Sequence, residues 1–138
     1  MSILVRSRRE MPIETEDDVL VVRRAVRDLA VLRGFDAFAS AALTTAASEL
    51  TRNVWVHARR GTAVLEDVAD GERVGVRVAF RDHGPGIPDL DRALAGGFST
   101  ARSMGLGLSG SRRLVDQFQI ETVVGEGTKV EILKWNGL

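Results

Sequence analysis

Four short groups of residues carry the chemistry available to this chain. Glu49 and Asn53 lie four positions apart, so on a helix they share one face. A glutamate placed there can take a proton from a hydroxyl or water attacking a phosphate. The neutral amide oxygen of Asn53 is a hard ligand, suited to a magnesium shell shared with phosphates and water. Asp82-His83-Gly84-Pro85-Gly86-Ile87-Pro88 follows a run in which Val74, Val76, Val78 and Phe80 alternate with other residues. A carboxylate at such a strand end can accept a hydrogen bond from the exocyclic amine of adenine, and side-chain-free Gly84 and Gly86 let a ligand come close. Gly105-Leu106-Gly107 opens a helix whose free backbone amides can bind phosphate oxygens. Gly127-Thr128 begins a strand, with a hydroxyl in reach of the same adenine edge or of an ordered water beside Asp82. Each group also has a plainer reading: a solvated helix face, a loop with a turn-initiating Asp, a tight hairpin turn.

Composition narrows the classes. The chain has 138 residues, 44% hydrophobic and 28% charged, enough for one domain with a real core. A formal net charge of zero gives no case for nucleic acid or an anionic membrane. There is no cysteine, hence no disulfide, thiolate nucleophile or zinc-thiolate centre. Two histidines, His57 and His83, are too few for a histidine-based metal cage. No apolar run approaches the ~20 residues of a membrane span, and residues 1–10 lack a signal-peptide layout. The expectation is one cytoplasmic domain over 1–138.

The elements that position the four groups follow in order. Residues 3–11 alternate loosely as an edge strand that Pro12 limits. Thr15-Glu16-Asp17-Asp18 predicts a helix start, with Val19, Val22, Val26 and Leu29 as its apolar stripe and Gly34 as its stop. Arg23, Arg24 and Arg27 fall off that stripe, on a solvated face. A second, alanine-rich helix is predicted over residues 36–57, ended by Gly61. Residues 62–68 and 73–81 flank Asp70-Gly71, a hairpin signal. Residues 89–104 contain the glycine- and hydroxyl-rich stretch 96–103, with little periodicity after Leu94, as in a functional lid. A helix from Gly105 to about Gln117 precedes a strand with Phe118, Ile120, Thr122 and Val124 alternating, a turn at 125–128, and a last strand with Val130 and Ile132. The fold class is α+β, a two-layer sandwich with helices on one face of a mixed, mostly antiparallel sheet. Gly105-Leu-Gly107-Leu-Ser-Gly110 also fits the dinucleotide fingerprint, but no strand immediately precedes it and no βαβ unit surrounds it.

Taken in order, Glu49…Asn53, Asp82-x-Gly-x-Gly, Gly105-Leu-Gly107-Leu and Gly127-Thr128 resemble the nucleotide-binding boxes of the GHKL ATP-binding superfamily, whose domain is the Bergerat fold. Ser-Glu-Leu-Thr-Arg-Asn-Val, Gly-Phe-Ser-Thr and the ending Gly-Thr-Lys-Val-Glu-Ile-Leu-Lys-Trp are most similar to the anti-sigma-factor serine kinases of the stressosome switch-kinase type. The resemblance implies ATP and Mg2+ as cofactors, Glu49 as general base and Asn53 as magnesium ligand. It implies Asp82 as the adenine contact, with Gly84, Gly86 and Ile87 shaping the pocket and Thr128 near adenine. Gly105, Leu106, Gly107 and Leu108 would border the phosphates, and Ser99 and Thr100 would belong to an ATP lid at about 89–104, where Arg102 is a further phosphate candidate. His83 receives no role.

The implied function is a serine/threonine protein kinase of a partner-switching module. It would phosphorylate STAS-domain antagonist or scaffold proteins and, once released, bind and activate a PP2C-type phosphatase. The competing reading is an anti-sigma factor that sequesters a sigma factor under nucleotide control. A detached histidine-kinase catalytic domain would need a phosphoacceptor histidine on a dimerisation helix, and His57, at the end of the nucleotide helix, is a poor acceptor. A nucleotide-binding protein without catalysis would leave Glu49 without a purpose.

Overall fold

The computed structural model describes residues 2–95 and 104–137, and in the second stretch side chains from 108 onward. Strand β1 (Leu4–Ile13) is followed by helices α1 (Asp18–Leu32) and α2 (Ala37–Ala58), then by strands β2 (Gly61–Asp70) and β3 (Arg73–Asp82). Helices α3 (Leu90–Ala95) and α4 (Met104–Leu114) precede strands β4 (Gln117–Val123) and β5 (Gly127–Trp135). The strands form one sheet in the order β1-β2-β3-β5-β4, and all four pairings are antiparallel. The sheet is therefore not mixed, as expected from sequence, but wholly antiparallel. The β3–β5 neighbourhood is made by a crossover through α3, α4 and β4 that returns β5 beside β3 in the opposite direction.

Alternation decides which sheet face is covered. Val76, Val78 and Phe80 of β3, Ala63 and Leu65 of β2, Met11 and Ile13 of β1, and Val130 and Ile132 of β5 join one core with Val22, Val26 and Ala30 of α1 and Leu43, Ala46, Ala47, Leu50 and Val54 of α2. The opposite sheet face carries only a small cluster of Val68, Leu133 and Trp135, with the Arg73 guanidinium 4.1 Å from the Trp135 ring centroid. Helices on one face and a mostly solvated face on the other give the two-layer α+β sandwich. Arg23, Arg24 and Arg27 are exposed on α1.

Local chemistry sets the element ends, with some departures from expectation. Asp17 makes no side-chain cap for α1. Asp18 instead turns back and accepts hydrogen bonds from the backbone N–H groups of Glu14 at 2.8 Å and Thr15 at 2.9 Å. Chiefly the Glu14 bond holds its carboxyl below the usual aspartate pKa. At the other end, Gly34 adopts φ 81°, and the N–H groups of Gly34 and Phe35 donate to the carbonyls of Val31 and Ala30 at 3.0 Å each. This is a Schellman closure, which a left-handed glycine permits. Asp36 caps α2 by accepting from the Ala39 N–H at 2.8 Å. The helix ends not at Gly61 but at Arg59, which takes φ 65°. Gly61 opens β2, where a Cβ would collide with the carbonyl oxygen of Arg81. Pro12 does not stop β1; it lies inside the strand opposite Thr62, because an edge strand tolerates a missing donor. Leu90–Ala95 forms α3 at the start of the stretch expected to be a lid, and α4 stops at Leu114, short of the expected Gln117.

The last departure concerns Gly127. Its φ is 136°, and a Cβ there would overlap the carbonyl oxygen of Asp82 and stand 2.8 Å from the His83 Cα. Gly127→Ala should therefore destabilise the fold by at least about 2 kcal/mol, from overpacking against backbone and a disfavoured φ together. Denaturant midpoints of the two proteins measure this. An unchanged midpoint would mean that the start of β5 does not need to lie so close to the end of β3.

Candidate functional site

The close approach at Gly127 fixes a row of side chains across three strands. Asp82 at the end of β3 stands directly opposite Thr128 of β5, and Thr128 stands opposite Thr122 of β4. By strand alternation all three project from the helix-covered face, in line with Phe80, Val130 and Ile120. Above them α2 presents Leu50, Asn53 and Val54, and α4 presents Leu108. Together with Phe80, Ile87 and Val130 these enclose a narrow cavity of about 20 Å³ lined also by Asp82 and Thr128. That volume holds about one water, so a planar ring enters only as the apolar walls part.

The slot combines apolar walls with a few polar groups, the usual make-up of a small-molecule site. Leu50, Phe80, Ile87 and Leu108 are buried. One carboxylate oxygen of Asp82 accepts from the Gly84 N–H at 2.9 Å, which fixes the group and leaves its second oxygen for another donor. Asn53 has a buried Nδ2 without a hydrogen-bond partner. A buried amide arm without a partner costs about 1–3 kcal/mol. Rotating the amide exchanges nitrogen for oxygen, so the same position can donate to a ligand oxygen or supply an oxygen to a cation. Among the described residues no three of His, Cys, Asp and Glu gather as a metal site. A cation here would accordingly keep mostly ligand oxygens and water, as magnesium does.

The remaining predicted residues fall around this slot in different ways. Glu49 is exposed, one turn before Asn53 on α2, and does not line the cavity. Gly84 and Gly86 are half-buried, and each is also packed against the chain itself. A Cβ on Gly84 would come within 2.6 Å of the Ala58 Cβ, and one on Gly86, at φ 76°, within 2.6 Å of the Val123 carbonyl oxygen. These glycines let the 82–88 loop lie against the end of α2 and the β4–β5 turn, where the Gly125 N–H also donates to the Pro85 carbonyl at 2.9 Å. Gly105 and Gly107 belong to the first turn of α4, whose leading N–H groups have no partner within the helix. Ser99, Thr100 and Arg102 lie outside the described residues, as does the side chain of Leu106. His83 is exposed.

The histidine kinase-like ATPase domain family matches residues 12–134. The chain belongs to this family. It is 42% identical over 123 residues to the serine/threonine-protein kinase RsbT of Bacillus subtilis, an alignment that covers 89% of this chain and 92% of that one. An anti-sigma F factor of Thermoanaerobacter is 27% identical over 69% of each chain. A crystal structure of RsbU and RsbW domains from Mycobacterium tuberculosis superposes with a TM-score of 0.61 at 19% identity, over 91% of this chain and 32% of that longer one. That likeness is one of fold. No helix among the described residues is long and apolar enough to cross a membrane.

Within this histidine kinase-like ATPase domain, two residues near the slot received no role from the sequence. Thr122 joins the row through hydrogen bonds to Ile87 and Thr128; its only sequence signal was a threonine on the apolar phase of a strand. His57 lies one turn beyond Asn53 on α2 and is half-buried. Burial lowers its pKa below the ordinary 6.5, partly offset by the negative charge of Asp82. A histidine with a depressed folded-state pKa favours folding fully above the unfolded value, and that contribution is lost as pH falls through the folded-state pKa. Lowering the pH from about 7.5 to about 5.5 should therefore cost the wild type more stability than His57→Gln. Urea midpoints at both pH values measure this, and parallel losses in the two proteins would show that His57 titrates as it does in the unfolded chain.

Proposed function

We propose that this chain is an ATP- and magnesium-dependent serine/threonine protein kinase of a cytoplasmic partner-switching module, working as one domain over 1–138. The observation that carries this reading is the 42% identity to a serine/threonine-protein kinase across 92% of that relative, in a chain whose slot brings Asn53, Asp82 and Thr128 together. The free oxygen of Asp82 accepts from the adenine amine, the apolar walls hold the ring, and Thr128 meets the same edge. The first-turn amides of Gly105 and Gly107 draw the phosphates toward α4. Asn53 holds magnesium, which neutralises phosphate charge when bound. Glu49 takes the proton from a serine or threonine hydroxyl of a second protein as that oxygen attacks the terminal phosphorus, and ADP leaves. STAS-domain proteins are the proposed substrates and a PP2C-type phosphatase the proposed partner after release. The anti-sigma F relatives, 27% identical, support a second reading, sequestration of a sigma factor. Pull-downs with a sigma factor and with a PP2C-type phosphatase separate the two.

Transfer of labelled phosphate to a purified STAS-domain protein tests the kinase assignment. Glu49→Ala should lower transfer by ~10²–10⁴-fold, the usual worth of general base catalysis, while ATP binding stays. Transfer at the wild-type rate would remove Glu49 from the chemistry.

Asp82→Asn should weaken ATP binding by about 10- to 100-fold, as the adenine amine loses a charged acceptor. Calorimetric titration reads it directly. Equal affinity in the two proteins would place adenine elsewhere.

A further inference from the structure

We propose that the groove between α1 and α2 is a second ligand site, built for a small organic anion: a carboxylate or phosphate carried on a compact apolar body. The inference stands apart from the nucleotide reading, since no residue that lines this groove lines the slot. Its origin is the composition of α2. Ala37, Ala41, Thr44 and Thr45 put short side chains on the flank of α2 beside α1, and across from them stand Arg23, Arg27 and Val31. Long side chains on one wall and short ones on the other leave a cavity of about 450 Å³, which Phe35 of the connection also lines. Small-molecule sites commonly occupy about 300–1,000 Å³.

Three observations point to an anion. Arg23 and Arg27 lie four positions apart on one face of α1, and among the described residues neither has an ion pair or a hydrogen bond. No acidic side chain among the described residues lines the cavity. Asp28 and Asp36, the acids nearest in sequence, stand outside it, and Asp36 is engaged in capping α2. The third observation concerns Thr44, which lines the cavity at 6% exposure, with a hydroxyl that is buried and has no hydrogen-bond partner. A helical threonine can return that hydrogen to the carbonyl four residues back, as Thr51 does to Ala47 at 2.7 Å. Thr44 does not, so its donor is left for a group entering the groove. Guanidinium forks bind carboxylate and phosphate through paired hydrogen bonds. Thr44 adds a further donor, and Val31, Phe35 and Ala41 meet the apolar body.

Benzoate and phenyl phosphate, titrated into the full chain, test this, with inorganic phosphate and neutral benzamide alongside. Amide NMR signals of residues 37–45 report the groove and those of Asp82 and Thr128 the slot, so the two are read separately. At least one aromatic anion should give saturable shifts in the groove. Arg27→Gln, a change on an exposed helix face, should weaken that binding at least about tenfold, and Thr44→Val about tenfold, the worth of a hydrogen bond to a charged group. Thr44→Val should also keep the wild-type urea midpoint or raise it, because it removes an unmet polar group and keeps the shape. Unchanged probe affinity in either variant overturns the proposal; if Thr44→Val does not fold, Arg27→Gln decides alone. Benzamide or inorganic phosphate binding as tightly as both aromatic anions overturns the ligand class. Shifts at the slot alone, shifts spread over arginines elsewhere, or no saturation would reduce the groove to a solvated face and overturn the proposal. Tighter binding of a blocked glutamate than of either aromatic anion would make it a surface for a protein side chain and overturn it as well.

Discussion

The approach of β5 to the end of β3 is the contact on which the site depends. Gly127 sits where any side chain would strike the Asp82 carbonyl, so only glycine lets β5 begin there. From that start the antiparallel register follows, and with it the placing of Thr128 opposite Asp82 and of Thr122 opposite Thr128. Opposed residues on antiparallel strands hold their Cβ atoms about 5 Å apart, close enough for one small ring edge to meet both. The floor of the slot is thus set by backbone pairing, the most rigid part of the molecule, and not by loop side chains. The loops are fitted afterwards: Gly84 and Gly86 let residues 82–88 lie flat against α2 and the β4–β5 turn.

The roof is made differently. Helix α2 is rich in alanine, which costs no side-chain entropy and leaves little bulk, so it can seat Leu43, Leu50 and Val54 deep against the sheet. Asn53 breaks the apolar surface at one point, and its buried arm lacks a partner among the described residues. Nothing in the folding of the chain rewards that arrangement, since a leucine there would remove the penalty. A polar group held at such a cost is best accounted for by something outside the chain that supplies its missing bond. The same argument does not extend to Glu49, which stands in solvent and costs the fold nothing.

How much of this was legible in the sequence depends on the range of the physics involved. The helix stop at Gly34, the period-two run into Asp82 and the Asp70-Gly71 hairpin are local devices, decided by a few neighbouring residues, and the sequence displays them. The glycine reasons were misread for the opposite cause. Gly84 and Gly86 sit in a motif that suggests an open approach for a ligand, yet a Cβ on one would meet Ala58 and on the other Val123, both far away in the chain. Only the tertiary packing reveals which atom comes close. Thr122 was missed likewise: a threonine on a strand is ordinary, and its value lies in bonds to Ile87 and Thr128 that no spacing rule displays. The end of α2 lies within a residue of the expected 57, but the stop is made by Arg59 in a left-handed conformation that arginine seldom takes, two residues before the glycine that seemed to supply it.

The division between Asn53 and Glu49 bears on what kind of reaction such a site suits. A hydrolase that activates water can keep its base inside, where the nucleophile diffuses to it. A base that must meet a hydroxyl carried by another protein has to stand where a folded surface can reach it, because a protein side chain enters a cleft only as far as its own backbone allows. Here the buried amide lines the slot, and the carboxylate one helical turn away lies in solvent. On the proposed kinase reading, the group that holds the ligand lines the slot and the proton acceptor is exposed. Under that reading an exposed carboxylate suits transfer to a protein hydroxyl, and the four-residue spacing of 49 and 53 on a single helix sets the two groups one turn apart.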